Sequence, residues 1–287
     1  MLDKFIPIKI IYFLDLIRFN KPIGFLLLMW PCWFGLAFSN KYYDDLIFLY
    51  FIFFIGSFLM RSAGCIINDI FDIKIDRQVK RTYNRPLASK KINILSAYIF
   101  VFVLLLISFI ILIQISILGI IISLCSFPII LLYPLMKRIT YWPQLFLGIA
   151  FSWGVLIASV ELYGSIKFDY FLLYLACIFW TIGYDTIYAY QDRQDDIRNN
   201  VKSTAVLFGE KGKLFVRFCY FCMIILISYL SWKSSESLVS LGVIILILIG
   251  INILINKWEP NSAQSSSYYF QKNNLLGGFI FLYLLFF

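Results

Sequence analysis

The chain has 287 residues and a formal charge of +9, with 61% hydrophobic, 20% aromatic and only 14% charged residues. A soluble domain carries about a quarter charged residues, so this composition excludes an ordinary soluble globular protein. The absence of histidine excludes histidine-ligated haem, histidine zinc sites and Ser-His triads.

Residues 1–21 mix Phe5, Ile8, Ile11, Phe13, Leu14 and Ile17 with Lys4, Lys9, Asp15 and Arg18. They read as an amphipathic interfacial segment, with no cleavable signal sequence expected. Long apolar runs then follow, predicting membrane-crossing helices over 22–39, 45–67, 92–113, 115–135, 142–162, 170–189, 214–232, 238–256 and 274–287. The fold class expected is all-α: a single polytopic membrane domain over 1–287, a helical bundle of nine transmembrane helices around a central cavity. The six cysteines all fall in apolar stretches. Even the C-x-x-C of Cys219 and Cys222 lacks neighbouring ligands, so small buried residues are the reading.

The basic charge is distributed by loop. Twenty lysines and arginines fall in the N-terminal segment and the loops after even-numbered spans, against three (Lys41, Lys167, Lys233) on the other side. This bias sets the N-terminus and the even loops in the cytoplasm. Topology, rather than nucleic acid, accounts for the charge.

Two of these cytoplasmic loops, 68–91 and 190–213, are rich in aspartate. Asn68, Asp72 and Asp76 are spaced i, i+4, i+8, so they share one face if the second span continues as a helix, with Asp69 beside them. After span six, Asp185, Tyr188, Asp192, Asp195 and Asp196 fall mostly on one helical stripe. Like charges at these spacings repel, and a divalent cation would relieve the repulsion. Clustered hard oxygen ligands suit Mg²⁺ or Ca²⁺, and Mg²⁺ binds through one or two carboxylates plus substrate phosphates. Arg77, Arg81 and Arg85 follow the first cluster and Lys202 the second, as a diphosphate would require. Arg61 lies inside an apolar span, where an ionisable residue is costly and by default functional.

These residues resemble the UbiA superfamily of intramembrane aromatic prenyltransferases. The signature N-D-x-x-D-x-x-x-D is matched by Asn68, Asp69, Asp72 and Asp76, within RSAGCIINDIFDIKIDRQVKRTYNRPLAS. D-x-x-Y-A-x-x-D-x-x-D-D is matched by Asp185, Tyr188, Ala189, Asp192, Asp195 and Asp196, followed by Lys202, Ser203 and Thr204. Further similar blocks are RFNKPIGFLLLMWP at 18–31 and YPLMKRITYWPQLFLG at 133–148. Asn20 and Asn200 depart from the family's usual Asp and Gly.

The resemblance implies Mg²⁺ as cofactor, held by Asn68, Asp69, Asp72 and Asp76 on one side and by Asp192, Asp195 and Asp196 on the other. It implies Arg77, Arg81 and Lys202 as diphosphate ligands, Arg61 and Arg18 as acceptor ligands, and Tyr133 and Tyr188 as stabilisers of an allylic cation. Asp72, Asp76, Asp192, Asp196 and Arg61 are the expected catalytic set. The implied substrates are a polyprenyl diphosphate and 4-hydroxybenzoate, as in ubiquinone biosynthesis, in a bacterial inner membrane, with no nucleic acid or protein partner. KPIG, AGCIIND and YDTIYA favour this acceptor over a naphthoate of the menaquinone pathway. A membrane transporter is the rival of a different class.

Overall fold

Backbone N–H and C=O groups in hydrocarbon must be satisfied within their own segment, which makes every long apolar run a helix. The computed structural model describes residues 7–39, 45–79, 81–235 and 237–286, and among these no strand occurs. Residues 1–6 of the interfacial segment, Lys41 and Lys80 of the charge count, and Phe287 of the last span lie outside the described residues. The helices are α1 (Ile8–Leu16), α2 (Ile23–Ala37), α3 (Leu46–Asp76), α4 (Ile94–Leu112), α5 (Ile117–Cys125), α6 (Phe127–Ile139) and α7 (Pro143–Ser152). They continue as α8 (Gly154–Tyr163), α9 (Phe168–Ala189), α10 (Arg193–Arg198), α11 (Thr204–Phe208), α12 (Gly212–Ser235), α13 (Leu238–Lys257) and α14 (Ala263–Phe286).

Two predicted spans are each two helices in line: α5–α6 break at Ser126, and α7–α8 at Trp153. Pro128, which has no N–H to give to the preceding turn, stands at the start of α6. Among the described residues, seven segments are long and apolar enough to cross a bilayer, so the chain is an integral membrane protein. The count of nine needs α2, which has 15 residues, and α14, which is not among the seven. The first half of α14 (AQSSSYYFQKNN) is polar, which is why the predicted span starts at 274 and the helix at Ala263.

Aromatic donors from other helices explain how that polar half is packed. Trp258 Nε1 donates to Ser266 Oγ at 3.0 Å, and Trp30 Nε1 to Asn274 Oδ1 at 2.8 Å. Trp180 Nε1 and Tyr220 OH donate to Asn273 Oδ1 at 3.1 and 2.8 Å. Buried polar side chains are tolerated when each is hydrogen-bonded.

α9 is the axis of the bundle: Leu173, Ala176, Trp180 and Thr181 are fully enclosed, and α7, α8, α12 and α14 pack around it. α4 and α13 instead present mostly exposed apolar side chains, as lipid-facing helices do. A second, smaller apolar cluster joins α1, α3 and α4 through Leu16, Leu59, Ile66, Ala97 and Val101. Of the six cysteines, Cys32, Cys65, Cys177 and Cys219 are buried, Cys222 is half-buried and Cys125 is exposed; all are free thiols.

Candidate active site

At 1.5 Å per residue the 31 residues of α3 span about 46 Å, well beyond ~30 Å of hydrocarbon. The excess is the helix end that carries NDIFDIKID, so the expected continuation of the second span as a helix is realised to Asp76. Asn68 Nδ2 donates to Asp72 Oδ2 at 3.2 Å, one turn apart. Asp69 and Asp76 are buried and taken up by guanidiniums. Arg18 Nη2 donates to both oxygens of Asp69 at 2.6 and 2.7 Å. Arg85 Nη1 donates to Asp69 at 3.0 Å and to Asp76 at 2.8 and 3.0 Å. Asp69, expected beside the metal site, is thus the anchor of two arginines. Arg18 adopts φ +61° to reach it, a backbone region uncommon for a residue with a side chain.

The second cluster does not continue as one stripe. α9 ends at Ala189, a turn follows, and Asp192 immediately precedes α10, which carries Asp195 and Asp196 in its first turn. Asn200 at φ +53° then turns the chain back, in keeping with the tolerance of asparagine for that region. Ser203 Oγ thereby donates to Asp196 Oδ2 at 3.4 Å, and the Thr204 N–H donates to Gln144 Oε1 at 3.0 Å. Burial pushes the Asp196 carboxyl up to about 6, against the opposing pull of Lys137. Asp195 is more open, with Arg198 3.9 Å away.

The two clusters face each other across a cavity of about 260 Å³. Arg81 spans it: its Nε and Nη2 donate to the two oxygens of Asp192 at 2.7 and 2.5 Å, and its Nη1 to Tyr188 OH at 3.1 Å. Tyr133, Tyr188, Arg18 and Arg61 also line the cavity. Arg61 makes no hydrogen bond or ion pair among the described residues, and its Nε is buried without a partner. Its guanidinium lies 5.6 Å from the Phe151 ring centre.

Two expected phosphate ligands lie elsewhere. Arg77 Nε donates to the Ala88 carbonyl at 3.0 Å, closing the loop after α3. Lys202 Nζ donates to the Ile139 carbonyl at 2.9 Å, and its own N–H to the Lys137 carbonyl at 2.8 Å. Neither side chain lines the cavity. Both cap backbone carbonyls, an outcome that spacing along the chain does not reveal. Lys137, Arg85 and Arg138 line the cavity in their stead. Lys137 is within electrostatic reach of Asp72, Asp185 and Asp196. Arg85 ends the run Arg77–Arg81–Arg85, whose period marked it; Lys137 and Arg138 carried only the block YPLMKR as a signal. Asp185 lies behind the cavity wall, with Lys137 and Arg61 as its charged neighbours.

The match to known proteins spans both acidic clusters. A model of the UbiA prenyltransferase family matches residues 28–276. The chain belongs to the UbiA prenyltransferase family. It is 38% identical to the 4-hydroxybenzoate octaprenyltransferase of Blochmanniella pennsylvanica over 275 residues, covering 93% of this chain and 92% of that protein. It is 44% identical over 204 residues to the enzyme of that name from Pseudomonas fluorescens, covering 71% and 69%. A UbiA homologue from Aeropyrum pernix has the same fold, with a TM-score of 0.71 at 21% identity, covering 90% and 96%. So has a homologue from Archaeoglobus fulgidus bound to GPP and Mg²⁺, with a TM-score of 0.71 at 16% identity, covering 96% and 100%.

The donor set of this UbiA-family chain fits a hard divalent cation. Asn68 and Asp72 on α3 and Asp195 and Asp196 on α10 offer only oxygen and amide donors, and Asp196 has no cation within ion-pair distance among the described residues. No three carboxylates among the described residues already form a metal-holding group.

Proposed function

We propose that the chain is a 4-hydroxybenzoate polyprenyltransferase. It would transfer the prenyl group of a polyprenyl diphosphate to the ring carbon ortho to the hydroxyl, in ubiquinone biosynthesis. The observation that carries this is its 38% identity over 93% of the chain to a protein of that name. The bacterial inner membrane, with the N-terminus and both acidic clusters on the cytoplasmic side, is the accompanying placement, supported by the twenty-to-three loop charge.

The cavity offers a role for each group. Asn68, Asp72 and Asp76 on one wall, and Asp192, Asp195 and Asp196 on the other, would hold Mg²⁺. When bound, Mg²⁺ supplies positive charge to the leaving diphosphate oxygens. Arg81, Arg85 and Lys137 add fixed cationic donors for the same oxygens. Asp69 keeps Arg18 and Arg85 in place. Arg61, a guanidinium without a hydrogen bond or ion pair among the described residues, would receive the acceptor carboxylate as a two-pronged ion pair. The ring carbon beside the hydroxyl then bonds to the terminal allylic carbon as the carbon–oxygen bond to diphosphate breaks. The Tyr133 and Tyr188 rings, which line the same cavity, would stabilise that cationic carbon. The ring proton leaves to water or diphosphate, restoring aromaticity.

The test is an assay of purified protein in lipid nanodiscs with polyprenyl diphosphate and labelled 4-hydroxybenzoate or a dihydroxynaphthoate. Prenylated hydroxybenzoate with equimolar diphosphate release is expected. Preferential labelling of the naphthoate would move the assignment to the other acceptor. Substrate uptake into sealed vesicles without diphosphate release would replace the enzyme with a transporter.

A further inference from the structure

The first turn of α2 meets one face of α3 at three successive contacts. Phe25 packs edge-on against Phe54 and Phe58, with ring centres 5.7 and 5.5 Å apart. Residues 54, 58 and 61 recur at helical spacing, and the third contact is Arg61 against Gly24. A Cβ placed on Gly24 would come within 2.7 Å of Arg61 Nε, 3.1 Å of Nη2 and 3.3 Å of Cζ. The two aromatic contacts set the separation of the helices, so an added methyl cannot be relieved by moving α2 away. The guanidinium must move instead. With Phe151 at its face and the cavity beyond, a displaced Arg61 changes its height or tilt in the pocket.

We infer that Gly24 is a positioning residue. The missing side chain seats the Arg61 guanidinium at the depth from which it binds the carboxylate of an aromatic acid acceptor. A two-pronged guanidinium–carboxylate pair is strict in geometry, so the seat acts on selection of the acceptor and leaves the diphosphate end untouched. Gly24 itself does not line the cavity; it acts only through Arg61. This inference rests on the reading of Arg61 as the acceptor ligand.

A mutant cycle tests it, with purified Gly24→Ala, Arg61→Ala and the double variant assayed in nanodiscs for both substrates. Gly24→Ala should raise the acceptor KM about tenfold with the donor KM unchanged, since a misplacement on the order of 1 Å costs up to ~100-fold. In the Arg61→Ala background the same substitution should add nothing. Equal losses in both backgrounds, or normal acceptor kinetics in Gly24→Ala beside an impaired Arg61→Ala, would overturn the inference and leave the Arg61 reading standing. Normal acceptor kinetics in Arg61→Ala would overturn both. Calorimetric binding of 4-hydroxybenzoate without donor gives an independent readout: weaker binding to Gly24→Ala than to the parent is expected, and equal affinity contradicts the inference. Alanine is favoured over glycine inside a helix, so Gly24→Ala should keep the parent's melting temperature and single-species profile.

Discussion

On α3 the carboxylates ride on one uninterrupted helix, and two of them are buried against Arg18 and Arg85. After α9 the helix breaks, and on the six-residue α10 Asp195 meets Arg198 only at 3.9 Å and Asp196 has no cation within ion-pair distance among the described residues. Both walls derive from the same sequence pattern, aspartates at turn spacing. The first is an internally neutralised frame, in which each buried carboxylate has its cation. On the second, Asp192 is held by Arg81 while Asp195 and Asp196 are only loosely compensated, which is where an incoming cation gains most. Burial with matched partners builds structure; burial without them leaves a charge that a ligand can satisfy.

This contrast can be broken experimentally. The largest expected effect is on turnover: Asp72→Asn or Asp192→Asn should lower kcat at least ~10²–10³-fold, the scale for removing charge stabilisation of a transition state. Folded yield should change little. Near-normal turnover in either variant would remove both aspartates from the metal site. Excess EDTA should likewise stop product formation, with recovery on adding Mg²⁺; undiminished turnover would contradict the divalent-cation reading.

Next comes stability. Asp69→Asn leaves two arginines at a buried site without their shared carboxylate and should cost about 3–5 kcal/mol, as for other broken buried pairs. A thermal melt in detergent would show this as a clear downward shift. Asp195→Asn, on the open wall, should melt close to the parent, and equal shifts for the two would erase the distinction between the walls.

Arg61→Ala should raise the acceptor KM while sparing donor affinity, read by varying each substrate at saturating levels of the other. The smallest effect is expected for Lys202→Ala, within about threefold of parent kcat, because its ammonium caps Ile139 and leaves the cavity to Lys137. Lys137→Ala should lose far more. The reverse order would restore Lys202 as the phosphate ligand.

Part of the site was legible along the chain because helical periodicity needs no tertiary information. The spacing of Asn68, Asp72 and Asp76 required only that α3 continue, and a 31-residue helix does. The Asp185-to-Asp196 stripe failed because it assumed the same continuity past Ala189, where the chain turns. Asp69 was equally visible, yet its role was not: only folding brings Arg18, 51 residues away, onto its oxygens. Arg77 and Lys202 stood in the right loops, but a lysine or arginine near an acidic motif has carbonyls as well as phosphates to choose from. Proximity in sequence does not rank them.

The amino-acid sequence by itself determined the solvent of this protein, its helical class and the two acidic motifs. Long apolar runs in lipid have one way to satisfy their backbone. It also marked Arg61, since a charge in an apolar span stands out without coordinates. The tertiary structure decided which aspartates are neutralised and which stay open, because charge pairing depends on distances between helices remote in the chain. It likewise decided that the polar half of α14 is helical, since the tryptophan and tyrosine donors that satisfy Asn273 and Asn274 come from α2, α9 and α12.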